Sequence, residues 1–90
     1  MQADAKQPLA HEFLGVLLEA EGKIPEAISH YQEAVRLRPD FGKAHAELGA
    51  VLTRMGDRAG AAAEFRIAQS DPDPQIREKA IAGLAAIGAK

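Results

Sequence analysis

Two histidines at matching positions are the side chains of this 90-residue chain with the clearest capacity for chemistry. His11 and His45 lie 34 residues apart, and each precedes a Leu-Gly pair by three residues. On neighbouring packed helices, about 8–10 Å apart, two imidazoles at equivalent positions could share a metal ion. Glu12 is near, but a third ligand is not evident, so we interpret both rings as half-buried packing residues. We expect no metal and no other cofactor.

The sequence offers little for nucleophilic catalysis. It contains no cysteine, no Gly-x-Ser-x-Gly motif and no phosphate-binding loop. Among the hydroxyl groups, Tyr31 falls at a core position of a helical pattern, whereas Ser29 and Ser70 have no histidine or acid within obvious helical reach. We therefore predict that the chain is not an enzyme.

Composition and charge exclude further classes of protein. Without cysteine there is no disulfide framework or thiolate zinc site, and a net charge of −2 gives no electrostatic footprint for nucleic acid. The longest apolar stretch, from Phe13 to Leu18, is far too short to span a bilayer. We expect neither nucleic-acid binding nor membrane insertion. The compartment stays unknown, with a weak preference for the cytoplasm.

Helix-end residues and apolar periodicity predict five helices. Pro8, Pro25 and Pro74 suit the first turn of a helix, where the missing N–H costs nothing. Gly22 and Gly56 mark helix ends, again 34 residues apart. Asp57 and Asp73 are suited to be the N-cap residues of the helices that follow them. Between these signals, apolar residues recur at helical spacing, and no segment alternates with a period of two, so no strand is expected. The pattern predicts two antiparallel helix pairs followed by one terminal helix.

The larger pattern is an internal repeat. The segment 11–18 recurs as 45–52, and the segment 27–34 recurs as 61–68, all with the same offset of 34 residues. Identical residues occupy eight equivalent positions of the two copies: Ala10/Ala44, His11/His45, Leu14/Leu48, Gly15/Gly49, Leu18/Leu52, Gly22/Gly56, Ala27/Ala61 and Ala34/Ala68. A period of this size is typical of stacked helical repeats, in which one unit cannot bury its apolar face alone.

These residues resemble the tetratricopeptide repeat (TPR) family, whose pattern has Leu-Gly on the first helix of each pair and Ala-x-x-x-aromatic on the second. The histidines replace the family's usual aromatic residue, which departs from the pattern without breaking it. The resemblance implies an all-α superhelix, a right-handed solenoid of antiparallel helix pairs, with about five helices. It also implies that Gly15 and Gly49 are small because paired helices cross closely there. Tyr31 and Phe65 are expected to fill the gap between neighbouring pairs.

The resemblance divides the chain into units. We expect a disordered tail at 1–7, one TPR unit at 8–41, a second at 42–75 and a capping helix at 76–90. The last segment, from Asp73-Pro74 to Gly88, is also similar to the first helix of a HEAT-type repeat. Whether this helix is a TPR cap or a HEAT-like element is left open.

The resemblance also indicates where a partner would bind, because the first helix of each TPR pair lines a concave groove. By that analogy the groove is formed by Leu9, Glu12, Phe13, Val16, Lys43, Ala46, Glu47, Ala50, Arg54, Arg77 and Ile81. This is an apolar strip with a charged margin. Glu12 and Glu47 would repel a terminal carboxylate, so we expect no binding of chaperone C-terminal tails. An apolar or amphipathic peptide, with basic residues facing the two acids, fits better.

These observations favour a protein–protein interaction module. It would bind a protein or peptide partner in its concave groove, as a scaffold or as part of a larger protein. The alternative is a self-associating module, in which the terminal helix packs on another copy or on further repeats. The apolar outward positions expected for that helix, Ala82, Gly83 and Ala86, favour this second reading because the end of a solenoid is normally polar.

Overall fold

The computed structural model describes residues 7–88, which form five α-helices and contain no strand. The helices are α1 (Pro8–Ala20), α2 (Ile24–Leu37), α3 (Gly42–Arg54), α4 (Arg58–Ala68) and α5 (Pro74–Ala86). This confirms the predicted all-α, TPR-like architecture. The predicted disordered tail lies outside the described residues except for Gln7, which is the N-cap residue of α1. The boundaries of the two repeat units stay predictions.

The two Gly-ended helices terminate in the same way, as their identical spacing predicts. Gly22 and Gly56 adopt φ values of 81° and 86°, in the left-handed region that favours glycine. The next N–H in each case, from Lys23 or Asp57, donates to a carbonyl five residues earlier at 2.9 Å. These bonds satisfy carbonyl groups that the ended helix leaves unpaired. The chain therefore turns back sharply after α1 and α3.

Aspartates begin the last two helices. The Asp57 side chain accepts a hydrogen bond from the Gly60 N–H at 2.9 Å, and Asp73 accepts one from the Gln75 N–H at 2.9 Å. Each satisfies one of the N–H groups that has no partner in a first helical turn. Both N-caps are those that the sequence predicts, and Pro74 follows Asp73 at the first helical position.

The helices pack as consecutive neighbours. α1 packs against α2 and α3 against α4 to form the two pairs, and α2 against α3 joins them. α5 packs against both α4 and α3. The short connections within each pair keep the paired helices side by side. One result is that α3 and α5, both first helices of a pair in the repeat pattern, lie next to each other.

Glycines and aromatic rings interlock at the helix crossings. A Cβ atom on Gly15 would lie 2.5 Å from Cε1 of Tyr31, and one on Gly49 would lie 2.8 Å from Cε1 of Phe65. A Cβ on Gly83 of α5 would also overlap the Phe65 ring. Tyr31 is fully buried and Phe65 nearly so. The ring of Phe65 therefore joins three helices, and this close packing requires glycine on both sides of it.

Candidate peptide-binding surface

A cavity of about 570 Å³ lies between α3 and α5. Four of the five α3 residues predicted for the groove line it, namely Lys43, Ala46, Glu47 and Ala50, whereas Arg54 does not. The ring of Phe65 from α4 also lines it. The remaining lining residues belong to α5 and its N-cap: Asp73, Gln75, Ile76, Lys79, Ala82 and Gly83. We name this space the α3–α5 cavity.

The face that α5 turns toward this cavity differs from the predicted one. Arg77 does not line the cavity; its Nη1 donates to the carbonyl oxygens of Asp71 and Pro72 at 3.1 and 2.9 Å. Ile81 lies elsewhere on the surface, with 55% of its area exposed. Ala82 and Gly83, which were expected to point outward, line the cavity instead.

The physical reason for this orientation is the contact between α5 and α4. The buried residues of α5 and its C-cap are Ala80, Leu84 and Ile87, with successive spacings of four and three residues. The buried α3 residues Ala44, Leu48 and Val51 have the same spacings. Because the Phe65 ring can approach α5 only at a residue without Cβ, Gly83 fixes the rotation of the helix.

The α1 residues of the predicted groove lie outside the α3–α5 cavity. Leu9, Phe13 and Val16 are exposed over 63%, 60% and 38% of their areas, as open groove residues would be. Leu14 and Leu17 are also exposed, although their repeat counterparts on α3 are buried against α2. Within the described residues, no helix packs on the side of α1 that carries Leu14 and Leu17, whereas α2 packs on the equivalent side of α3.

The two groove acids contact each other, and Glu12 is buried whereas Glu47 is half-buried. Glu12 of α1 is only 4% exposed, and its carboxyl group lies within hydrogen-bonding reach of that of Glu47 on α3. Burial first, and then the neighbouring Glu12, raise the pKa of Glu47 to about 8, against the opposite influence of Lys43 and Lys79. Since two carboxylates in contact repel each other, Glu47 retains a proton at neutral pH. It therefore repels an anion less than the sequence implies.

Arg54, another predicted groove residue, joins the first helices of the two units. Its Nη1 donates to Glu19 Oε2 of α1 at 3.0 Å, and the hydroxyl of Tyr31 donates to Glu19 Oε1 at 2.8 Å. Glu19 thus connects α1, α2 and α3. Burial of the phenol, followed by its hydrogen bond to Glu19, raises the pKa of Tyr31. Tyr31 is structural, as the sequence predicts.

The two histidines of the repeat have different partners. His11 Nδ1 lies 3.0 Å from Nδ1 of His30, and the rings stack with centroids 5.2 Å apart. His45 instead lies 2.6 Å from Glu64 Oε1 and donates from Nε2 to the Pro39 carbonyl oxygen at 2.7 Å. His30 is half-buried against His11. Among the described residues, no group of three or more potential ligands is arranged to hold a metal ion.

The protonation of His45 predicts a pH-dependent stability. Burial of the ring disfavours its charged form, but the hydrogen bonds to Glu64 and to the Pro39 carbonyl outweigh it, so the pKa of His45 is raised. A raised pKa means that the stabilisation is complete below the unfolded value of about 6.5 and is lost as pH rises through the folded value. Glu64→Gln should remove about 1 kcal/mol of stability at about pH 5.5 and less at about pH 7.5.

Urea unfolding of the wild type and Glu64→Gln at both pH values checks this expectation. Glu26→Gln is the matched control, because Glu26 is an exposed acid of α2 and should leave the pH dependence unchanged. Equal losses at the two pH values in Glu64→Gln would show that His45 is not held as an imidazolium by this contact.

Short helices packed in consecutive pairs, with the same residues recurring every 34 positions, define a helical solenoid repeat protein. The family model described as TPR repeat matches residues 15–56. The chain is a tetratricopeptide repeat protein. Repeats of this family generally mediate contacts between proteins. Within residues 7–88, no helix has the length and apolar content needed to cross a membrane.

Three curated proteins show similarity to the chain. A TPR repeat-containing protein of Pseudomonas aeruginosa is 42% identical over 60 residues, which is 67% of this chain and 24% of that protein. Surface lipoprotein assembly modifier 1 of Neisseria meningitidis serogroup B is 34% identical over 79 residues, 87% of this chain and 16% of that protein. A probable biofilm formation methyltransferase of Pseudomonas putida is 43% identical over 49 residues, 54% of this chain and 12% of that protein. The chain thus spans a quarter or less of the length of these relatives.

Proposed function

We propose that this chain binds an apolar or amphipathic peptide segment of a protein partner, with the segment's apolar side chains in the α3–α5 cavity. The observation that carries the proposal is the composition of this cavity. Ala46, Ala50 and Phe65 supply apolar surface, whereas Lys43 and Lys79 are polar residues of its lining. A volume of about 570 Å³ lies within the range of known ligand pockets, about 300–1,000 Å³. Mixed apolar and charged lining of this kind suits an amphipathic helix.

The α1 residues extend the proposed surface. Phe13 and Val16 are exposed on the first helix of unit 1, and the groove analogy places them along the same concave side as the α3 residues. A peptide longer than the cavity would therefore continue over α1. In this arrangement the cavity binds the deepest side chain, and α1 contributes the remaining apolar contact area.

Selection of binding peptides tests the proposal. Peptides are selected from a displayed random library on the immobilised domain, and their affinities are measured for the wild type and for Ala50→Arg. Ala50 is exposed and lines the cavity, so an arginine there would fill it, and affinity should fall by about tenfold or more, equivalent to about 1.4 kcal/mol. Phe13→Ala with Val16→Asp should weaken longer peptides further without loss of helicity.

Ala63→Arg is the matched control, because Ala63 is an exposed helical alanine on α4 outside the cavity lining. Equal affinities for Ala50→Arg and Ala63→Arg would reject the cavity as the binding site. Sedimentation of the free domain over a concentration series separates peptide binding from the alternative of a self-associating module. A monomer at all concentrations argues against that alternative.

A further inference from the structure

The Glu12–Glu47 pair leaves hydrogen-bonding capacity unused, and one of its members, Glu47, lines the α3–α5 cavity. Among the described residues, Glu12 Oε2 and Glu47 Oε1 are buried oxygens that accept no hydrogen bond. Only 4% of the Glu12 surface is exposed. Glu47 lines the cavity. Buried acceptors without donors destabilise the folded state. A donor with positive charge would satisfy both and remove the repulsion between the two carboxyl groups.

Charged side chains of α1, α3 and α5 lie around the Glu12–Glu47 pair. From α3, Lys43 places its Nζ 3.7 Å from Glu12 Oε2, beyond hydrogen-bonding distance, with more than half of its side chain exposed. Lys79 of α5 is the other cation that acts on Glu47. The nearby Glu19 of α1 accepts hydrogen bonds from the Tyr31 hydroxyl of α2 and from Arg54. The neighbouring groups thus leave the two orphaned oxygens without a direct donor.

We propose that the Glu12–Glu47 pair receives the ammonium or guanidinium group of a Lys or Arg side chain on the bound segment, and that Glu47 releases its proton when this happens. This inference rests on the proposed function and adds a chemical requirement to it. Before binding, one proton neutralises half of the pair's charge. After binding, both groups are carboxylates that share the cation, and the proton passes to the buffer. Charge-assisted hydrogen bonds to two carboxylates are stronger than neutral ones.

The partner segment therefore has a defined pattern. One apolar side chain enters the α3–α5 cavity, and a basic residue on the same helical face, three or four positions away, reaches the pair. A hydrophobic residue at the basic position would leave the orphaned oxygens buried and unpaired. The pair thus disfavours a segment without the basic residue, because its carboxyl oxygens would stay unpaired. Such unpaired polar groups discriminate more strongly than a difference in apolar contact does.

Calorimetric titration of the selected peptides tests the inference. Binding is measured near neutral pH in buffers of different ionisation enthalpy, which gives the number of protons released. We expect a net release approaching one proton per peptide in the wild type and none in Glu12→Gln with Glu47→Gln. Replacing the peptide's basic residue by norleucine should weaken binding about tenfold or more in the wild type and have no effect in the double variant.

The outcomes separate this inference from the proposed function. Peptides that bind the α3–α5 cavity without a basic residue, or without proton release, would overturn the role of the pair and leave the cavity intact as a binding site. Failure of Ala50→Arg to weaken binding would instead reject the cavity itself. Glu78→Gln, at an exposed acid of α5, controls for the loss of a negative charge and should keep the wild-type proton release. If the double variant loses helicity, Glu47→Gln alone serves for the same measurements.

Discussion

Replacing Phe65 by alanine is expected to lower the free energy of unfolding by about 3–5 kcal/mol. This is a large part of the roughly 5–13 kcal/mol expected for 90 residues. Phe65 is 4% exposed and packs between Gly49 of α3 and Gly83 of α5. Because its neighbours at both crossings are glycines, neither crossing has a side chain that could fill the space that the ring leaves. Truncation therefore leaves a cavity between the three helices.

Chemical unfolding followed by circular dichroism measures this loss. Phe13→Ala is the internal control, since Phe13 is 60% exposed and its truncation should change stability by less than about 0.5 kcal/mol. Similar losses in the two variants would show that the ring of Phe65 does not join the three helices. Loss of α5 contacts should accompany the Phe65 change, because the buried residues of α5 belong to the same core cluster as Phe65.

Gly49→Ala is expected to destabilise the protein by about 1–3 kcal/mol through overpacking, even though alanine is the better helix former by about 1 kcal/mol. The added Cβ would lie 2.8 Å from Cε1 of Phe65, closer than two carbons pack. The ring is buried and cannot rotate away, so either the ring or the helix must shift. The steric cost exceeds the gain in helix propensity.

The sign of this effect should reverse when the ring is removed. In a Phe65→Leu background the smaller side chain leaves room for Cβ, and Gly49→Ala should then stabilise by up to about 1 kcal/mol. A double-mutant cycle from four urea unfolding curves gives the coupling energy. Additive effects, with the same sign in both backgrounds, would contradict the proposed interlocking of glycine and ring.

The helices could be predicted from the sequence because the ends of a helix depend on residues close to them in the chain. Proline in the first turn, glycine at the helix end and aspartate at the N-cap act within a few positions, and the structure confirms each of them at Pro74, Gly56 and Asp73. Four α3 residues that the TPR resemblance assigned to a groove line the α3–α5 cavity, and their role in binding stays a prediction. These predictions needed only local chemistry and a match between two copies of the same pattern.

The orientation of α5 and the acid pair depended on contacts that the repeat does not specify. Apolar residues occupy several faces of α5, so hydropathy alone left its rotation undetermined, and the contact of Gly83 with Phe65 decided it. Glu12 and Glu47 are not equivalent positions, since the counterpart of Glu12 is Ala46. Their proximity arises from the stacking of the units, which a comparison of matching positions cannot show.

The pairing of His30 could have been found from the sequence. The residue 34 positions after His30 is Glu64, and a polar residue recurs at this position of the second helix in both units. In each copy it lies 19 residues after the histidine of the first helix and contacts it. The repeated spacing of 19 residues between two polar positions indicates this contact, whereas the apolar repeat does not.

The placement of α5 gives the α3–α5 cavity a thermodynamic property of its own. One wall of the cavity is a helix that packs against α3 and α4 on one side, and in repeat solenoids such a helix is stabilised chiefly by its nearest neighbours. Local unfolding of α5 would therefore open the cavity without unfolding the two pairs. Any segment that occupies the cavity binds the docked form and shifts this local equilibrium toward it. Hydrogen exchange in α5 thus becomes a direct measure of cavity occupancy, more sensitive than the global stability of the domain.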